Sequence, residues 1–180
     1  MASASPRRLA LLRQIGIEPA KIIPPEIDEK PQKGELPRAF ARRMALEKLL
    51  PAQNGFVIAA DTVVAAGRRM LHKAELREDA ETYLRLLSGR RHKVHSAVAV
   101  CAPDGRTVCR VVDSAVGFAR LDEPQLHAYL DCGEWQGMAG GYAIQGHAAS
   151  FIDFLSGSYS GVVGLPLHET SALLRGLGWH

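Results

Sequence analysis

The 180-residue sequence predicts a single α/β domain over residues 1–180, built on a mixed sheet with flanking helices. Three observations predict it. Val57-Ile58-Ala59-Ala60 runs into Asp61-Thr62-Val63-Val64, an apolar and β-branched stretch that reads as a buried strand. Val94, Ser96, Val98 and Val100 alternate with smaller residues, Pro103-Asp104-Gly105 turns the chain, and 107–118 returns, which reads as a hairpin. Amphipathic helical stretches stand between and around these strands.

The first helix starts at Ser5, an N-cap, with Pro6 at the first helical position. Leu9, Leu12 and Ile15 share a face, and Gly16 ends it. Arg7 and Arg8 at the positive end of this helix oppose its dipole, which points to an anionic ligand. Neither arginine is expected in the core. Residues 22–33 are proline-rich and read as a loop, whose acids Asp28 and Glu29 are either solvated or hold a metal. A helix is expected over 37–50, with Phe40, Met44 and Ala45 inward. Lys48 near its end either serves a cleft or favours the helix's negative end.

After the Asp61 strand, Gly67 turns the chain towards Lys73, and a helix is expected over 76–87. Asp122 with Gln125 three residues on makes a capping box for the next helix. Residues 133–146 are dense in glycine, contain Glu134 and Gln145, and suit close backbone approach to a ligand. A strand is expected over 149–155, a turn-rich loop over 156–161, and a last helix from Pro166 with Leu167, Thr170, Leu173 and Leu174 inward.

Asp61 is the residue this arrangement turns on. An ionised carboxylate is rarely buried without a compensating cation. Asp61 therefore either caps a turn or faces a metal ion, a Lys or Arg, or a reacting water at a cleft.

Charge and composition narrow the partners. The net charge is +3, from 22 basic and 19 acidic residues interspersed along the chain. This balance, without aromatic interleaving, argues against a nucleic-acid surface. No apolar run reaches membrane-helix length, and the start lacks the apolar core of a signal peptide. Cys101, Cys109 and Cys132 are odd in number and not in metal-ligand spacing, which suits a reduced, cytoplasmic interior. The seven His are scattered without metal-ligand spacing and are taken as structural.

Several segments in order resemble the Maf family, nucleoside triphosphate pyrophosphatases named after septum formation. They are Ser3-Ala4-Ser5-Pro6-Arg7-Arg8, Ile27-Asp28-Glu29, Ala45-Leu46-Glu47-Lys48, Ala60-Asp61-Thr62-Val63-Val64 and Leu87-Ser88-Gly89-Arg90 with His92. They continue through Gly133-Glu134, Ala139-Gly140-Gly141-Tyr142, Ile144-Gln145-Gly146, Gly157-Ser158-Tyr159 and Val163-Gly164-Leu165-Pro166-Leu167.

The resemblance implies two lobes around a cleft, similar to the inosine triphosphatase architecture. It implies cleavage of a nucleoside triphosphate to monophosphate and pyrophosphate, a nucleotide house-cleaning role, with Mg²⁺ or Mn²⁺ and frequent homodimers. Carried over by motif, Asp61 is the proton acceptor. Arg7, Thr62 and Gln145 take the positions tied to base choice, and Thr62 with Gln145 looks like the dTTP/UTP branch. Glu29, Lys48 and Lys73 look like metal and phosphate contacts, with Asp61 sharing the metal. Ser5 and Arg8 complete the substrate-binding set.

The sequence departs from the family pattern in three places. It starts almost at the first motif, without the usual first strand. Met138 stands where Lys is usual, and Ala74 where Pro is usual after Lys73. A nucleotide-binding regulator of cell division without catalysis is the alternative, with Met138 as its marker.

Overall fold

The computed structural model describes residues 1–52 and 55–179. Along the chain come α1 (Pro6–Gln14), α2 (Pro37–Glu47), β1 (Val57–Ala66), β2 (Arg69–Leu71), α3 (Arg77–Leu87), β3 (Arg91–Cys101) and β4 (Thr107–Phe118). Then follow α4 (Glu123–Cys132), a 3-10 turn over His147–Phe151, β5 (Ile152–Ser156), α5 (Tyr159–Val163) and α6 (Leu167–Gly176). No helix among the described residues is long and apolar enough to cross a membrane.

Helices and sheet combine as expected, in a five-stranded sheet of order β2-β1-β3-β4-β5. Every strand pairing in it is antiparallel, where a mixed sheet was expected. Among the described residues, parallel contact is confined to an isolated bridge between Ala74 and Gln136. Tight turns impose the antiparallel order. Gly67, at φ 62°, turns β1 into β2, and Gly105 closes the β3–β4 hairpin with its N–H on Ala102 O at 2.9 Å. The expected strand over 149–155 starts later, because Ala149 N–H first turns back onto Gly146 O.

The two faces of the sheet carry different loads, as strand alternation requires. Val63, Ala97 and Ala99 point to one face, under Phe40, Met44 and Ala45 of α2. The opposite face is covered in two separate groups. Ile58, Ala60, Val98 and Val100 pack against Leu11 and Leu12 of α1 and Leu174 of α6. Val64, Val94 and Val116 pack against Leu84 and Leu87 of α3 and Leu126 and Leu130 of α4. These groups are the two lobes. Between them, on the same face, the apolar pattern breaks at Thr62 and Ser96, which are opposite each other in the β1–β3 register.

These polar residues hang α5 over the sheet. Ser96 Oγ donates to Gly161 O at 2.6 Å, Thr62 Oγ1 donates to Gly164 O at 3.3 Å, and Ser158 N–H donates to Ser114 Oγ at 3.0 Å. Met1 and Ala2 lie alongside β1 and the 21–23 segment: Ala2 N–H donates to Ile58 O and Ile23 N–H to Met1 O. They form no strand of their own.

His92 is buried in the lobe formed by α3 and α4, edge-on to Phe118, with Nε2 2.8 Å from Tyr142 Oη. Burial pushes its pKa down to about 4. The unfolded chain therefore binds a proton more readily than the folded one. Stability from this group is fully present above about pH 6.5 and drains as pH falls towards 4, by about 3 kcal/mol. Urea melts at intervals between pH 7 and pH 4 check this. His92→Gln, with no imidazole to protonate, flattens that part of the curve relative to wild type.

Candidate active site

All nine residues predicted for the site line one cleft of about 690 Å³: Ser5, Arg7, Arg8, Glu29, Lys48, Asp61, Thr62, Lys73 and Gln145. They come from six separate stretches of chain. Asp61 and Thr62 are adjacent on β1 and so point to opposite faces. Both reach the cleft because β2 pairs with β1 only from Val64 onward, which leaves the edge of β1 open at this point.

Asp61 is 7 % exposed and resolves the two sequence alternatives in favour of the cation. Its Oδ1 accepts Lys48 Nζ at 2.7 Å. The same ammonium lies 2.8 Å from Glu29 Oε1. Lys48 is the C-cap of α2, so the helix end and both carboxylates share its charge. It is itself 7 % exposed, and it lines the cleft while ending the helix. Burial pushes the Glu29 carboxyl up, but the Lys48 hydrogen bond and the charges of Lys48, Lys73 and Arg8 outweigh it. The net pKa lies below the ordinary value.

The donor set fits a hard divalent cation. The Glu29 and Asp61 carboxylates both meet Lys48 Nζ, and their oxygens are the donor type that Mg²⁺ or Mn²⁺ takes. Glu29 and Asp61 are the residues that would hold it.

The arginines at the start of α1 divide their work. Ser5 caps the helix as expected, its Oγ accepting Arg8 N–H at 3.5 Å. Arg7 lies in the cleft with its guanidinium against Met138 Sδ. A Lys at 138 would set a second cation against Arg7. Arg8 is half-buried and tied down, with Nε on Gly164 O at 2.9 Å and Nη1 on Ser3 Oγ at 3.1 Å. Burial lowers both guanidinium pKa values; Asp61 and Glu29 pull that of Arg8 back up, while Arg7 lowers it further.

This corrects the expectation that both arginines are free of structural work. Arg8→Ala should cost about 1–3 kcal/mol of stability, because it strips Gly164 O and Ser3 Oγ of a charged partner. Arg7→Ala should leave the melting temperature near wild type and raise KM for a triphosphate. Thermal melts beside steady-state kinetics separate the two.

Sequence reasoning missed Ser96, Ser114 and Gly164. Together they fix the position of the α5 backbone under Arg8 and Thr62. The signal was present: hydroxyl residues interrupting otherwise apolar strand faces. The glycine-rich loop is pinned to the Lys73 segment by Gly140 N–H on His72 O at 3.1 Å and Ala74 N–H on Met138 O at 3.0 Å. A Pro at 74 could not make the second bond. Gly140, at φ 72°, sits so close to Val64 that any Cβ would collide with it.

Comparison with known proteins gives consistent matches. Residues 1–177 match the family described as Maf-like protein. The chain is 54% identical over 183 residues to a dTTP/UTP pyrophosphatase of Zymomonas mobilis, covering 99% of this chain and 91% of the relative. It is 54% identical over 183 residues to a dTTP/UTP pyrophosphatase of Caulobacter vibrioides, covering 99% and 95%. A dTTP/UTP pyrophosphatase of Granulibacter bethesdensis is 54% identical over 197 residues, covering 99% and 92%. With the family match over residues 1–177 and near-complete coverage by such relatives, the chain belongs to the Maf family.

Proposed function

We propose that this protein hydrolyses nucleoside triphosphates, dTTP and UTP foremost, to the nucleoside monophosphate and pyrophosphate. The observation that carries the reading is the gathering of Asp61, Glu29 and Lys48 with Arg7, Arg8 and Lys73 in one cleft. Its volume is in the range of small-molecule sites. Family membership and relatives named dTTP/UTP pyrophosphatase support it. The reading treats residues 1–180 as one domain.

Each residue has a physical task. Lys48 holds Asp61 through Oδ1, which leaves Oδ2 to take the proton of a water attacking the α-phosphorus. Lys73 and Arg7 neutralise the triphosphate as the pyrophosphate leaves, Arg7 by a two-pronged contact and Lys73 as a point charge. Arg8 adds charge from behind while holding Gly164. Ser5 offers its hydroxyl and the helix start to the phosphates. Thr62 and Gln145 lie at the base end. A hard divalent cation at Glu29 and Asp61 supplies further neutralisation of phosphate charge.

Pyrophosphate release from a panel of nucleoside triphosphates, with Mg²⁺ and with Mn²⁺, tests the proposal. dTTP and UTP should give the highest kcat/KM. A panel on which purine nucleotides are cleaved better would overturn the base assignment. No release from any nucleotide would overturn the hydrolase reading.

A further inference from the structure

A second group of metal-binding side chains lies outside the cleft. Cys132 ends α4, Glu134 follows two residues later, and His147 opens the 3-10 turn. One donor atom from each lies within 4.8 Å of the others. None of the three lines the cleft. We propose that Cys132, Glu134 and His147 form a site for a borderline-soft divalent cation of the zinc class.

The chemistry of the three donors selects the ion. A thiolate, an imidazole and a carboxylate are the ligands zinc takes, whereas Mg²⁺ prefers oxygen alone. In a tetrahedral set with bonds of about 2.0–2.3 Å, neighbouring donors stand about 3.3–3.8 Å apart. Closing from a separation of at most 4.8 Å asks for no more than about 1.5 Å, and His147 is exposed and free to turn towards the other two. Water takes the fourth position from the solvent side.

The carboxylate is already fixed in place. His147 N–H donates to Glu134 Oε2 at 2.7 Å, and among the described residues Oε1 accepts no hydrogen bond. Gly146 lies so close beneath this carboxylate that any Cβ there would collide with it. Such a held carboxylate is how proteins orient a metal ligand.

The helix end favours a cation as well. α4 points the negative end of its dipole at Cys132, and its last turn contains no basic residue. Cys132 Sγ–H now donates to Tyr129 O at 3.0 Å. On binding, the S–H bond breaks, the proton leaves to solvent and the sulfur lone pair forms the metal bond. The bound ion would then join the end of α4 to the Gly146-His147 turn, next to Gln145.

Cobalt titration of the metal-free full-length protein tests this. One equivalent of Co²⁺ should produce the thiolate-to-cobalt charge-transfer band and the intense visible bands of a tetrahedral site, and Zn²⁺ should displace both. Cys132→Ser should abolish the charge-transfer band, and His147→Ala should weaken binding at least about tenfold. Cys109→Ser and Asp61→Asn should keep the band. Melting curves of Cys132→Ser should match wild type, because Cys132 is exposed. No charge-transfer band in the wild type, a band that survives Cys132→Ser, or one lost in Asp61→Asn would overturn the site. Because the readout is spectroscopic, the result stands apart from nucleotide hydrolysis.

Discussion

Asp61→Asn lowers kcat by about 10²–10⁴-fold, the usual weight of a positioned general base. The amide keeps the shape of the side chain and still offers an oxygen to Lys48 Nζ. It cannot take a proton from water. Asp61 and Lys48 are both buried, so the lost ion pair also costs stability, about 1–2 kcal/mol. That is a larger structural effect than a cleft carboxylate read from sequence alone suggests, and it is too small to unfold a domain of ordinary stability. The measurement is pyrophosphate release at saturating dTTP, with a urea melt on the same preparation. Near-wild-type turnover would remove Asp61 from the chemistry.

Lys48→Met loses activity and about 3 kcal/mol of stability at neutral pH. The ammonium stands 2.7 Å from Asp61 Oδ1 and 2.8 Å from Glu29 Oε1. Without it two carboxylates face each other in a partly dry site. Removing one partner of a buried pair costs about 3–5 kcal/mol, and the half-exposed Glu29 relieves some of it. The sign with pH follows. In the wild type, Glu29 has a depressed pKa, so its contribution is present above the ordinary carboxyl value and is lost on acidification. In the variant the Lys48 partner that helps hold Glu29 ionised is gone. The variant's deficit is then greatest at pH 7 and shrinks towards pH 4. Urea melts of both proteins at pH 7 and pH 5 measure this. Equal stability at pH 7 would show that Lys48 serves substrate alone.

Much of this was legible in the sequence, and particular residues show why. Ser5 with Pro6, and Asp122 with Gln125, act locally, so α1 and α4 were found at their first residues. The β3–β4 hairpin was legible because its turn and its alternation lie in one continuous stretch. α5 was not, because Tyr159–Val163 is short, contains Gly161 and is held by hydroxyls on three different strands. Local propensity holds no record of such partners. β2 was missed because three residues leave no period to read. Motif resemblance carried the site residues, and the fold brought those nine to one cleft; the motifs themselves say nothing of who neutralises whom. Lys48 between two acids, and Arg8 on Gly164, are tertiary facts. The scattered His and the unpaired Cys offered no metal spacing because Cys132 and His147 meet only when α4 and the 3-10 turn pack together.

The hydrogen bond from Ala74 N–H to Met138 O ties together two segments that meet at the cleft wall. Ala74 and Met138, the two positions at which the resemblance led us to expect Pro and Lys, are bonded neighbours. Ala74→Pro alone would lose one of the bonds between the Lys73 segment and the glycine-rich loop, leaving Gly140 N–H on His72 O and Gly137 N–H on Ala74 O. Met138→Lys alone would press a new charge on Arg7 while these bonds held it there. Each single change thus meets a background shaped by the other. Comparing Ala74→Pro, Met138→Lys and the double variant in a double-mutant cycle measures how far the two positions are coupled.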